Sequence, residues 1–228
     1  MGWIKNVLLL TVLICVQNLR AQTNVLKPDK VFDLYFNAFV KHNDQSLVEL
    51  NDYLKNFIGE EGLYKVDMKT AYHEELKGLT NLFLSGFSEN VAKECEPDVK
   101  NYFNALFDRF KSARYTIKNM ETMRNDYSQS QDISEVYYEV MVKIPENKSN
   151  IDLKNGKKIS AKELKIYLKD ITNQLLSANK EFSLSEKFNL YQIYKNDKVY
   201  YWNGGPQELL WKLNNFYFQN FNSNKIKP

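Results

Sequence analysis

The chain changes its hydrophobic period once, near Lys111, and that switch limits what it can fold into. Before it, apolar residues recur at the three-to-four spacing of helices; after it, β-branched and aromatic residues fill runs of strand length. Helices first and strands later argue for an α+β domain, in which neighbouring strands pair and the helices pack against them, and not for an alternating βαβ chain.

The first stripe is Val31, Leu34, Tyr35, Ala38 and Phe39, widened by Phe32 and Phe36, so this helix is expected to be buried on more than one side. His42 takes the next position of the stripe and Asn43-Asp44 breaks it. Ser46 and Glu49 have the spacing of a capping box, which would open a second helix with Leu47, Leu50, Leu54, Phe57 and Ile58 inward and Gly59 and Gly62 at its end. A third helix is expected from about Asp67 to Leu84 with Met68, Tyr72, Leu76, Leu79 and Phe83 inward. For the fourth, Pro97 fits a first turn, where a missing N–H is harmless, ahead of Val99, Tyr102, Phe103, Leu106, Phe107 and Phe110.

Past the switch, ARYTIKNMETM and SEVYYEVMVKI, separated by NDYSQSQD, read as paired strands closed by Pro145. Asn155-Gly156 suggests a small hairpin. Ser160 and Glu163 cap a helix near 160–178 that leaves the sheet between strands. EKFNLYQIYKNDKVYYWNGG returns to strand chemistry around a Lys195-Asn196-Asp197-Lys198 turn, and Pro206 opens a last helix with Leu209, Leu210, Leu213 and Phe216. One α+β domain is therefore expected over 22–222, with a polar tail at 223–228.

The first residues, MGWIKNVLLLTVLICVQNLRAQ, place Lys5 before an apolar run from Val7 to Val16 and Ala21 before Gln22, the order of a secretory signal peptide cleaved near Ala21. The run ends at Gln17, short of the ~20 apolar residues of a membrane span, and Ile14 stands where a lipidated Cys15 would need a small neighbour. The expectation is a periplasmic or secreted protein of a Gram-negative bacterium with no stable membrane anchor. Of the 31 basic residues, Lys5 and Arg20 would leave with the signal, so the remainder nearly balances the 28 acidic ones and gives no footprint for nucleic acid. Cys95 would then be the one cysteine, with no disulfide partner, and stability rests on the core.

The run YFNAFVKHND followed by QSLVEL resembles the start of the NTF2-like (cystatin-like, SnoaL-like) superfamily, and KNDKVYYWN is similar to its last hairpin; the likeness covers residues 31–58 and 188–203. It implies helices packed inside a strongly curved antiparallel sheet, a cone whose pocket serves some relatives as an enzyme site and many as a binding cleft. The helices at 67–110 and 160–178 and the one after Pro206 are additions to that pattern.

Few residues carry a chemical signature. His42 reads as a helix-ending residue whose ring donates to the last free carbonyls and complements the helix dipole; the alternative is a general base near neutrality. Asp44 reads as a turn or capping residue. His73-Glu74-Glu75 begins like a zinc helix, but Lys77 occupies the second ligand position, so no metal is expected. Glu94 and Glu96 flank Cys95 and disfavour its thiolate. There is no G-x-S-x-G, no phosphate-cradling loop and no calcium loop, and no cofactor is expected. Lys154, Lys157, Lys158, Lys162, Lys165 and Lys169 form a basic segment, a solvated face or one that meets an acidic protein or anionic lipid.

Tyr137, Tyr138, Tyr191, Tyr194, Tyr200, Tyr201 and Trp202 fall on expected strands, where they either pack across the sheet or line a pocket for a small amphipathic ligand. The candidate ligand-binding set is His42, Tyr35, Tyr138, Tyr191, Tyr201 and Trp202. The expected function is that of an exported non-catalytic binding protein. The alternatives are a periplasmic immunity-type or accessory protein that binds a protein partner, favoured by a filled cone with an exposed aromatic or charged patch, and a small enzyme using His42, favoured by a cavity that adds an ionisable neighbour.

Overall fold

The computed structural model describes residues 25–126, 128, 131–145 and 158–220. The expected signal peptide, the Asn155-Gly156 hairpin, Lys154, Lys157 and the polar tail lie outside the described residues. Helix α1 (Pro28–Phe39) starts with proline in its first turn and buries Val31, Phe32, Tyr35, Phe36, Ala38 and Phe39. Its exit runs through His42, which holds a left-handed φ of 52°. Helix α2 (Asp44–Ile58) follows, ending at Gly59 with φ 75°, a conformation that an L side chain resists.

The expected Ser46/Glu49 capping box is not formed. Asn43, in extended conformation, already stands at the N-cap, and its Oδ1 accepts from Ser46 N–H at 2.8 Å. Ser46 is therefore inside the first turn, and Glu49 accepts instead from Gln45 at 3.0 Å. Tyr53 joins the inward face of α2, and Ile58 is only half-buried.

Helix α3 (Met68–Leu84) is capped by Asp67, as its boundary suggested. Helix α4 (Glu89–Lys111) corrects the reading of Pro97, which lies inside the helix and not in its first turn. Val91 and Cys95 extend the buried stripe backwards from Val99, so packing carries the helix through the proline. Pro97 and Lys93, whose carbonyl loses its amide partner, are both on the exposed side, where water can serve that carbonyl.

Strands β1 (Arg114–Arg124), β2 (Asp132–Lys143), β3 (Glu181–Lys195) and β4 (Lys198–Trp202) form an open antiparallel sheet in the order β1-β2-β3-β4, with an irregularity in β1 between Ile117 and Asn119. Asn196 and Asp197, with φ of 51° and 57°, make the two-residue turn between β3 and β4. Helix α5 (Ala161–Ser177) lies between β2 and β3 in sequence and packs on α4, where Arg109 Nε donates to Leu175 O at 2.8 Å. Its Ser160/Glu163 capping box is complete in both directions. Helix α6 (Glu208–Asn220) closes the described chain. The result among the described residues is an α+β fold, six helices with a four-stranded antiparallel sheet packed against them.

Strand alternation places Val136, Tyr138 and Val140 of β2 and Phe188 and Leu190 of β3 on the face that meets α1. Aromatic rings fill that interface: Phe32 lies 4.7 Å from Tyr138 and 5.7 Å from Phe188, Tyr35 lies 5.4 Å from Phe188, and Phe36 lies 4.3 Å from Tyr115, centroid to centroid.

On the β4 side of the sheet, side chains occupy several backbone hydrogen-bonding positions. Tyr53 Oη accepts from Tyr201 N–H at 2.8 Å, and Tyr35 Oη accepts from Asn203 N–H at 2.9 Å. Tyr64 Oη donates to Asn203 O. Where β4 stops short of β3, Asn203 Nδ2 reaches Asn189 O at 2.8 Å and Lys212 Nζ of α6 donates to Lys187 O. Burial raises the pKa of Tyr35 and of Tyr53, and brings that of Tyr64 to about 12, so these hydroxyls keep their protons.

Candidate functional site

Two of the concave sites among the described residues hold members of the candidate ligand-binding set. The larger is an open groove of about 510 Å³ where β4 gives way to α6. Counting outward from the Asn196-Asp197 turn pairs Tyr191 with Trp202, so both rings leave the sheet on the same face, opposite the one carrying Phe188 and Leu190. Their centroids are 6.2 Å apart and their planes 48° apart. The indole is confined on one side, where it lies so close to Gly204 that a Cβ there would come within 2.9 Å of the ring.

Gln131, Asn189, Asn203, Gly205 and Glu208 complete the groove. Asn203 is committed to structure, since Nδ2 serves Asn189 O and Oδ1 accepts from Gly205 N–H at 2.7 Å. Asn189 Oδ1 is buried and has no donor among the described residues. Among the described residues no lysine, arginine or histidine lines the groove.

The smaller site, about 220 Å³, is walled by Phe39, Val66, Met68, Ala71 and Leu210, with His42, Glu75 and Gln207 as its polar members. His42 does not donate to the last carbonyls of α1. Its left-handed backbone ends the helix, while the ring turns inward to meet Tyr72 at a steep angle, centroids 5.2 Å apart, leaving Nδ1 buried with no partner among the described residues. His42 Nε2 is 3.9 Å from Glu75 Oε2, too far for a hydrogen bond. Burial, and secondarily the charge of Lys111, lowers the histidine to about 4; burial alone raises Glu75 to about 7. We therefore read the pair as neutral imidazole beside a carboxyl that titrates near neutrality, not as an ion pair.

The six residues expected to bind ligand are thus divided. Tyr191 and Trp202 come together in the groove; Tyr35 and Tyr138 are 0% and 2% exposed in the packed interface; Tyr201 is half-buried on β4; His42 lies in the smaller pocket. His73 is exposed, with Nδ1 at 2.6 Å from Lys69 O, and Asp44 begins α2. Cys95 is buried with Sγ 3.5 Å from Ala161 O, and burial raises its pKa. Among the described residues no group of three histidine, cysteine, aspartate or glutamate side chains could hold a metal ion, and no helix is long and apolar enough to cross a membrane.

Sequence reasoning missed Glu75 as a partner of His42, and missed Asn189, Gln131 and Glu208 in the groove. Glu75 showed only as part of His73-Glu74-Glu75, where zinc spacing drew attention to the wrong histidine. The groove amides have no spacing signature, though the pairing of Tyr191 with Trp202 follows from the two-residue turn. No protein-family model, no curated protein and no solved structure matches the chain.

Proposed function

We propose that the protein is an exported, non-catalytic binding protein of NTF2-like type from a Gram-negative bacterium, which holds a small amphipathic ligand in the Tyr191–Trp202 groove. The observation that carries this reading is a fixed aromatic pair beside a buried, unpartnered acceptor, Asn189 Oδ1. Rings supply apolar area and the amide supplies direction, which is the usual division of labour in a small-molecule site. The volume of about 510 Å³ fits such a ligand, and the concave shape suits one better than a flat protein surface does. Native mass spectrometry of the protein recovered from its own periplasm tests the reading. A small adduct present on the wild type and lost from Trp202→Ala supports it; an adduct retained unchanged by that variant refutes it.

One observation favours a second reading, a small enzyme: His42 and Glu75 face each other across an apolar pocket with carboxyl and imidazole pKa values moved toward each other's ordinary range. A turnover abolished separately by His42→Gln and by Glu75→Gln, and indifferent to Trp202→Ala, would put this reading in place of the first.

A further inference from the structure

We infer that the groove takes a neutral saccharide, an inference that rests on reading the groove as the binding site. The sugar chemistry follows from three features of the lining. First, Tyr191 and Trp202 are both half-buried and present ring surface to an open groove, with the indole seated against Gly204, where the absence of a side chain makes room for it. The C–H-rich face of a pyranose is apolar and weakly positive at its hydrogens, so it packs on the electron-rich face of such a ring. A platform fixed in advance loses little side-chain freedom on binding.

Second, the polar lining matches hydroxyl groups. Asn189 Oδ1 lacks a donor, and a hydroxyl supplies one while keeping its own lone pairs for a neighbouring N–H. Gln131 adds two amide donors beside an Oε1 that already accepts from Asn125 Nδ2 at 3.4 Å, and Glu208 adds a carboxylate acceptor, so vicinal hydroxyls meet planar groups that bind two atoms at once. A wholly apolar ligand would leave Asn189 Oδ1 unsatisfied.

Third, the charge of the lining selects against anions. Among the described residues Glu208 is the one ionisable carboxyl in the lining, and no cation is part of it. Lys212, one turn along α6, is occupied by Lys187 O and by Glu186 at 3.5 Å. Lys212 also lies 4.0 Å from Glu208 itself, so its charge is shared among groups of the protein, and a phosphorylated or carboxylated ligand would meet the Glu208 carboxylate with no further cation in the described lining to pair with it.

The test uses the mature chain carrying Trp211→Phe, so that emission reports Trp202; Trp211 is 63% exposed and outside the groove lining. This protein is titrated with neutral cello-, xylo-, malto-, manno- and chito-oligosaccharides, with oligogalacturonate as an anionic sugar, and with phenylethanol as an amphipathic non-sugar. At least one neutral series should shift the emission. Binding measured by calorimetry should be at least about tenfold weaker in Trp202→Ala, the scale of losing an aromatic anchor, and about fivefold weaker in Asn189→Ala, the scale of one hydrogen bond, in variants whose melting shows them folded. It should also be unchanged by raising salt, because no charge pairing is involved. Preference for oligogalacturonate overturns the neutral-sugar inference. Trp202-dependent binding of phenylethanol with no response to any sugar overturns it too, but leaves the binding reading standing. No Trp202-dependent binding of any probe overturns both.

Discussion

His42 and Glu75 should pull the stability of this protein in opposite directions as pH falls, and single substitutions should reveal each pull. The His42 side chain is 8% exposed, and its pKa falls from an ordinary 6.5 to about 4 on folding. The unfolded chain thus binds more protons than the folded one between those values, and stability present above pH 6.5 is lost as pH falls toward 4. At about 1.4 kcal/mol per pH unit the full effect would be ~3 kcal/mol, which we reduce to roughly 2 because part of the ring's surroundings is wet. Glu75 has the reverse sign. Its pKa rises from 4.5 to about 7, so the folded chain binds more protons, and stability present below 4.5 is lost as pH rises through 7.

The Glu75 side chain is 36% exposed, so solvent screening cuts its contribution to about half of the full value, roughly 1.5 kcal/mol. In the wild type the two contributions largely cancel. His42→Gln removes the acid-labile one, so its stability relative to wild type should improve by roughly 2 kcal/mol between pH 7 and pH 4. Glu75→Gln should show the opposite trend, losing roughly 1.5 kcal/mol relative to wild type between pH 7.5 and pH 4.5. Urea unfolding at closely spaced pH values, read as variant minus wild type to remove the other carboxylates, measures both. Differences independent of pH for both variants would refute the reasoning, since no titration could then be assigned to either residue.

Three further outcomes are expected. Tyr53→Phe keeps the ring against Phe57 and Tyr200 but strips the acceptor from Tyr201 N–H; it should cost about 1–3 kcal/mol in urea unfolding and speed hydrogen exchange at the Tyr201 amide. Pro97→Ala restores an amide donor in the middle of α4 on its exposed side; thermal melting should show a higher midpoint, up to about 3 kcal/mol of stabilisation, and a lower midpoint would mean the helix needs its proline. Gly204→Ala sets a Cβ within 2.9 Å of the Trp202 ring, so in the Trp211→Phe background the emission of Trp202 should shift as the indole is displaced, and an unchanged spectrum would show that the ring yields freely.

How far the sequence revealed this structure depends on whether the deciding contact was local. Ser160 and Glu163 make their capping box because the residues just before them, Lys157, Lys158 and Ile159, carry no side-chain acceptor for the N-cap, whereas the same spacing at Ser46 and Glu49 is overruled by Asn43 three residues upstream. Pro97 was misplaced because its local rule ignores the buried surface that Val91 and Cys95 gain by being helical. The Tyr191–Trp202 pair is legible once the Asn196-Asp197 turn fixes the register. The His42–Glu75 contact is not, because it joins the exit of α1 to the middle of α3 and no period links them. Tyr35 and Tyr138 show the ambiguity of an inward tyrosine, since core packing and pocket lining leave the same mark in the sequence.

The β4 side of the sheet also limits how copies of this chain could assemble through their strands. Tyr53, Tyr35, Asn203 and Lys212 occupy hydrogen-bonding positions along β4 and the end of β3, while among the described residues no strand pairs with the outer side of β1. A molecule with two open sides could add neighbours indefinitely and grow into a fibre. With these positions already taken on one side, strand pairing between native chains is favoured at β1, as a symmetric pair joined β1 to β1, so the tyrosines that satisfy a few amides also work against polymerisation.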